Sequence, residues 1–142
     1  MFTEHGCFYV ELKGNILLLD IEGAWNLETA LAYQKAITEA IKPIVGQNWA
    51  VLTLMNKWEL CTPDSEIVIV DIVKNAITKG LTREAVVNNK GTIKLELFNK
   101  HRNVKTLSDA NIPFKRHIYQ DEETALEWLA SEGFGVDYLS SS

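Results

Sequence analysis

At 142 residues, 46% of them apolar and 23% charged, the chain is long enough for one domain whose own core holds it without a disulfide or metal. A net charge of −5 argues against a nucleic-acid-binding surface. Two cysteines, Cys7 and Cys61, with no CxxC spacing and no nearby histidine pair, form neither a zinc site nor a disulfide framework.

The first elements read as a hairpin. Residues 7–13 alternate loosely and are rich in strand formers, and Gly14-Asn15 supplies a two-residue turn. Residues 16–22 follow as a second strand. Its Ile-Leu-Leu-Leu run is apolar on both faces, so the strand is covered from both sides. Asn26 then caps a helix whose stripe is Leu27, Leu31, Gln34, Ile37, Ile41 and Ile44, closed by Pro43 and Gly46. Residues 49–55 are a third strand.

Thr62-Pro63-Asp64-Ser65-Glu66 has the chemistry of a helix start: a cap, a proline at the first helical position, and acids at the positive end of the dipole. The following Ile-Val-Ile-Val-Asp-Ile-Val is strand-like by propensity. The preceding cap, the closing Gly80 and the length of the stretch predict a buried helix instead. Residues 83–88 form a fourth strand. A helical stripe then starts at Thr92 and ends at Asn111-Ile112-Pro113. Residues 114–119 alternate as a fifth strand with Phe114, Arg116 and Ile118 on one side. Asp121 caps a last helix with Ala125, Leu126, Trp128 and Leu129 on its apolar face, stopped by Gly133.

The order β-β-α-β-α-β-α-β-α predicts an α/β domain. It would have a single mixed, mostly parallel five-stranded sheet flanked by about four helices, with an antiparallel first strand and right-handed crossovers. Residues 1–133 are expected to form the domain and 134–142 a partly flexible tail. The absence of a basic-then-apolar leader and of any apolar run long enough to cross a bilayer gives a cytoplasmic expectation with no membrane span.

In such sheets ligands bind outside the carboxyl ends of the parallel strands. Those ends read as residues 23–26, 56–59, 88–91 and 119–121. They gather Trp25, Asn26, Trp58 and further Asn and Lys residues on one expected rim, as amphipathic surface for a ligand or partner.

Catalytic constellations are thin. The chain has no GxSxG elbow, no GxGxxG and no GxxxxGK[ST], and His5, His101 and His117 fall on three separate elements. Asp20 and Glu22 share a strand face without a further ligand in sight. Cys61 precedes a helix N-terminus, which favours a thiolate, but sequence places no base beside it. No catalytic residue, metal ligand or cofactor is assigned, and an enzyme is not expected. Residues 90–117 carry Lys90, Lys94, Lys100, Arg102, Lys105, Lys115 and Arg116, a basic run able to meet an anionic lipid surface or an acidic partner.

The element order, the Tyr119-Gln120-Asp121-Glu122-Glu123-Thr124-Ala125-Leu126-Glu127-Trp128-Leu129 ending, and the Thr62-Pro63 helix followed by an Ala-Val-Val strand resemble the bacterial SpoIIAA-like, STAS-like (STAS/SEC14-type) family over nearly the whole chain. The resemblance implies a non-enzymatic binding or regulatory module of a bacterial cytoplasm. Such a module engages a protein partner, or a second copy as a homodimer, through the second-helix turn and the strand-end rim. STAS antagonists carry a phosphorylated Ser or Thr in an Asp-Ser-Ser/Thr-Gly-like turn there. This chain lacks that motif, and only Thr62 and Ser65 stand in the corresponding turn. The alternative is a carrier or sensor of a small apolar or anionic, lipid-like ligand held between parted helices. Trp25, Asn26, Trp58, Thr62 and Ser65 are the residues expected to touch the partner or ligand.

Overall fold

The computed structural model describes residues 6–89 and 114–135. Strands β1 (Cys7–Lys13), β2 (Ile16–Trp25), β3 (Trp49–Cys61), β4 (Leu81–Val87) and β5 (Lys115–Tyr119) lie side by side in that order. β1 runs antiparallel to β2, and β2 through β5 are mutually parallel. Helices α1 (Leu27–Ala40), α2 (Pro63–Thr78) and α3 (Glu122–Ser131) follow β2, β3 and β5, and a short 3-10 turn, Lys42–Ile44, ends the first crossover. The α/β fold class, the mixed five-stranded sheet and the element order match the sequence expectation over the described residues. The helix expected to begin at Thr92 lies outside them.

Local chemistry sets the boundaries. Gly14 adopts φ 63° in the β1–β2 turn, where a β-branched residue would be strained. All three expected caps are made: Asn26, Thr62 and Asp121 accept from the backbone N–H of Thr29 (3.0 Å), Ser65 (3.4 Å) and Thr124 (2.7 Å). The strand-like 67–73 stretch is helical, since cap and proline commit the chain before β propensity can act.

Two cores flank the sheet. On one face Leu17, Leu19, Ile21, Val51 and Met55 meet the inner sides of α1 and α2. On the other, Ile16, Ala50, Leu52, Ala85 and Val87 meet Ala125 and Leu129 of α3. Phe134 joins this second core, and Asn15 accepts from the Gly135 N–H at 3.0 Å. The boundary expected at 133 therefore falls inside packed structure.

The α1 stripe is rotated from its expected setting. Ile37, Ile41 and Ile44 are buried as the periodicity predicts, but Ala30 and Tyr33 turn inward where Leu27 and Leu31 were expected. Residues 30, 33, 37, 41 and 44 also recur at three and four, so both stripes are helical. Tyr33 decides between them. Its ring packs against Phe8 (5.4 Å between centroids) and edge-on against Trp25 (4.7 Å), aromatic contacts that a setting with Leu27 and Leu31 inward would forgo. Arg116 is also corrected: it leaves the expected basic run and lies buried on β5, its Nε donating to Glu84 at 2.7 Å, while Thr53 donates to the other Glu84 oxygen at 3.0 Å.

Candidate functional site

β2 and β3 run further than the sequence suggested. Gly23 and Asn56 read as loop residues, yet the ladder continues through Glu22↔Lys57, Gly23↔Trp58, Ala24↔Leu60 and Trp25↔Cys61, with irregularities at Asp20/Glu22 and Gly23/Ala24 that absorb the misfit. Gly23 takes φ 81° there, and a Cβ on it would come within 3.0 Å of Gly6 Cα, a close approach that suits glycine. Of the expected loops at 23–26 and 56–59, all but the Asn26 cap are therefore strand, with Asn56 and Glu59 unpaired at the irregularities.

This extension reassigns the tryptophans. Trp25 and Trp58 are 1% and 2% exposed, and both face the α1–α2 core instead of presenting a rim to solvent. The Trp25 indole N–H donates to the Glu22 carbonyl at 2.9 Å. Its own carbonyl accepts from the Thr62 N–H at 3.0 Å, which ties the end of β2 to the cap of α2. Asn26 caps α1 and is half-buried. Thr62 donates to the Asp64 carboxylate at 2.5 Å, and the Ser65 hydroxyl donates to the Thr62 carbonyl at 2.8 Å. Ser65 has no solvent exposure, whereas Thr62 is half-buried. The structure thus brings all five expected residues to one edge, three of them inside it.

What faces solvent at this edge is different. Leu27 (37% exposed), Leu31 (46%), Leu60 (58%) and Ile67 (64%) lie around the starts of α1 and α2. Sequence reading placed Leu27 and Leu31 in the core, made Ile67 part of a buried helix and passed over Leu60. A signal for Ile67 was present: Ile67-Val68-Ile69-Val70 turns about 100° per residue on a helix, more than one buried stripe can hide.

Behind this edge a cavity of about 50 Å³ lies between the sheet and the two helices, lined by Trp25, Tyr33, Trp58, Cys61 and Ile69 among others, with Glu84 and Thr53 at its polar side. It has room for a water or two. Burial pushes the Tyr33 phenol far up, with the Glu84 charge adding to it. Burial also raises the Cys61 thiol against the opposing hydrogen bond from Ser65, so the thiolate expected from the helix start is not favoured. His117 stands on the other face of the sheet, stacked on Trp128 at 4.3 Å. There a second cavity, of about 150 Å³, is lined by Asp20, Glu22, Asn56, Lys57 and Glu122. Burial raises the Asp20 carboxyl, Glu22 adds to the shift and Lys57 opposes it. Among the described residues no group of three or more His, Cys, Asp or Glu side chains is arranged to hold a metal ion, and no helix is long and apolar enough to cross a membrane.

The fold has close counterparts among solved structures. A DUF3478-family protein with a SpoIIAA-like fold from Shewanella loihica aligns over 91% of this chain and 98% of its own, at TM-score 0.65 and 13% identity. An anti-sigma factor antagonist from Mycobacterium paratuberculosis aligns over 91% of this chain and 97% of its own, at TM-score 0.59 and 15% identity. The chain has a SpoIIAA/STAS-like fold. No protein-family model and no curated protein matches its sequence.

Proposed function

We propose that this chain is a non-enzymatic regulatory module that binds a protein partner where α1 and α2 begin. The observation that carries this reading is the set of exposed apolar side chains, Leu27, Leu31, Leu60 and Ile67, around the Thr62 turn. Scattered exposed leucines are ordinary, but four large apolar groups drawn to one edge mark an interaction surface. The solved structure of the same fold from Mycobacterium paratuberculosis is an anti-sigma factor antagonist, which agrees with a partner-binding role here. The bacterial cytoplasm is the setting this reading expects. Thr62 is the hydroxyl through which phosphorylation would alter that edge, by setting a phosphate beside Asp64.

A photo-crosslinking amino acid placed at the exposed Asp64, with Glu127 on α3 as control, tests this in cells that carry the chain. A discrete cross-linked protein at 64 and none at 127 is the expected result. Equal labelling at both, or none at either, removes the reading.

Carriage of a small apolar ligand has the enclosed cavity in its favour and the volume against it. About 50 Å³ does not admit a lipid chain, so α1 and α2 would have to part from the sheet and expose Trp25 and Trp58.

A further inference from the structure

We infer that the occupant of this edge is a cationic amphipathic helix of another protein, an inference that rests on the partner-binding reading above. α1 and α2 both return from parallel strands and pack against each other, so they start at the same edge and run the same way. Leu27 and Leu31, four apart, lie on the outer side of α1, and Ile67 lies on the outer side of α2. Neighbouring helix axes lie about 8–10 Å apart, which leaves a shallow furrow between these side chains. Leu60, at the same edge, pairs with Ala24 next to the inward Trp25–Cys61 pair, so it stands on the sheet face away from this furrow.

Among the described residues, the charge that α1, α2 and the end of β3 carry around this furrow is acidic. Residues 58–73 hold Glu59, Asp64, Glu66 and Asp71 with no Lys, Arg or His, and residues 26–34 hold Glu28 with no base. Glu28, Glu59, Asp64 and Asp71 are exposed. Glu28, Asp64 and Glu66 serve the helix dipoles in their first turns. Glu59 lies in a strand and Asp71 beyond the second turn of α2, where the dipole gives no reason for an acid. The bases nearest in sequence bound the patch: Lys35 and Lys74 lie further along the two helices, and Lys57 lines the cavity on the α3 side of the sheet.

An apolar furrow with an acidic border selects its occupant. A second copy presenting the same face would set acid against acid, and an anionic lipid surface would be repelled. A helix with apolar residues at i, i+3 or i+4 and i+7, flanked by Lys or Arg, satisfies both the furrow and its border.

The probe is a fluorescein-labelled Leu/Lys amphipathic helix of about 18 residues, with its Leu/Glu counterpart as control, titrated with the full chain by fluorescence anisotropy. The Leu/Lys helix should bind and the Leu/Glu helix should not. Its Kd should weaken about tenfold or more in Leu31→Ser/Ile67→Ser, and as much in Glu59→Lys/Asp71→Lys. A Glu123→Lys/Glu127→Lys variant, equally altered in charge but on α3, should bind within about twofold of the parent. Circular dichroism establishes that each variant is folded. Equal weakening by the α3 pair, no effect of the apolar pair, or binding of the Leu/Glu helix overturns the inference. So does a vesicle of phosphatidylglycerol that binds, or a dimer in sedimentation, provided Leu31→Ser/Ile67→Ser abolishes it. A partner cross-linked at Asp64 through a neutral or acidic segment would defeat the cationic helix and leave the partner-binding reading standing.

Discussion

Trp49 and Trp25 close opposite ends of the same helical layer, and the two ends differ in what surrounds them. Both indoles are buried, and each donates its N–H to a backbone carbonyl at 2.9 Å, Lys79 for Trp49 and Glu22 for Trp25. At the Trp49 end the exposed large apolar side chain is Val45 alone among the described residues, beside a Glu39–Lys42 ion pair at 3.0 Å. At the Trp25 end four large apolar side chains stay in water within an acidic border. The same wedge of tryptophan under helix closes both ends, so folding does not require the extra exposed apolar surface. Under the proposed function, that surface belongs to what the protein meets.

The largest effects should come from the shared scaffold. Trp58→Ala removes a side chain buried at the partner edge and should cost about 3–5 kcal/mol in urea unfolding. A cost below about 1 kcal/mol would mean that the cavity beside Trp58 collapses, and that this end is looser than its burial implies. Loss of partner binding in that variant would report unfolding more than lost contact, which makes Trp58 a poor probe of the surface.

The Glu84–Arg116 pair sharpens the comparison from the middle of the layer. Arg116→Met leaves Glu84 buried without its guanidinium, and unfolding should show a loss of about 3–5 kcal/mol. Glu84→Leu/Arg116→Met removes both charges and should recover most of that loss. A double variant as unstable as the single one would show that the pair fixes packing beyond its charge.

Most of the fold was legible in the chain because its signals are local. Asn26, Thr62 and Asp121 announced three helices through cap chemistry, Gly14-Asn15 announced the hairpin, and the alternation of Phe114, Arg116 and Ile118 set the inward face of β5. The candidate site was legible in position but not in its residues. Gly23 and Asn56 look like chain breaks, and only the paired ladder carries β2 and β3 past them to bury Trp25 and Trp58. The rotation of α1 depends on Tyr33 meeting Phe8 and Trp25, contacts made across the sheet that no window on the helix contains. Leu27 and Leu31 therefore read as core when they are surface.

The smallest expected effect on stability carries the most weight for function. Leu31→Ser and Ile67→Ser alter exposed side chains and should each change unfolding free energy by about 0.5 kcal/mol or less. The most direct measurement places both changes in the chain that carries the photo-crosslinker at Asp64 and follows capture of the partner in cells. The account predicts that the double variant stays folded and loses the cross-linked species. Undiminished capture would contradict it, and would show that the apolar side chains at the start of α1 and α2 are not the surface the partner meets.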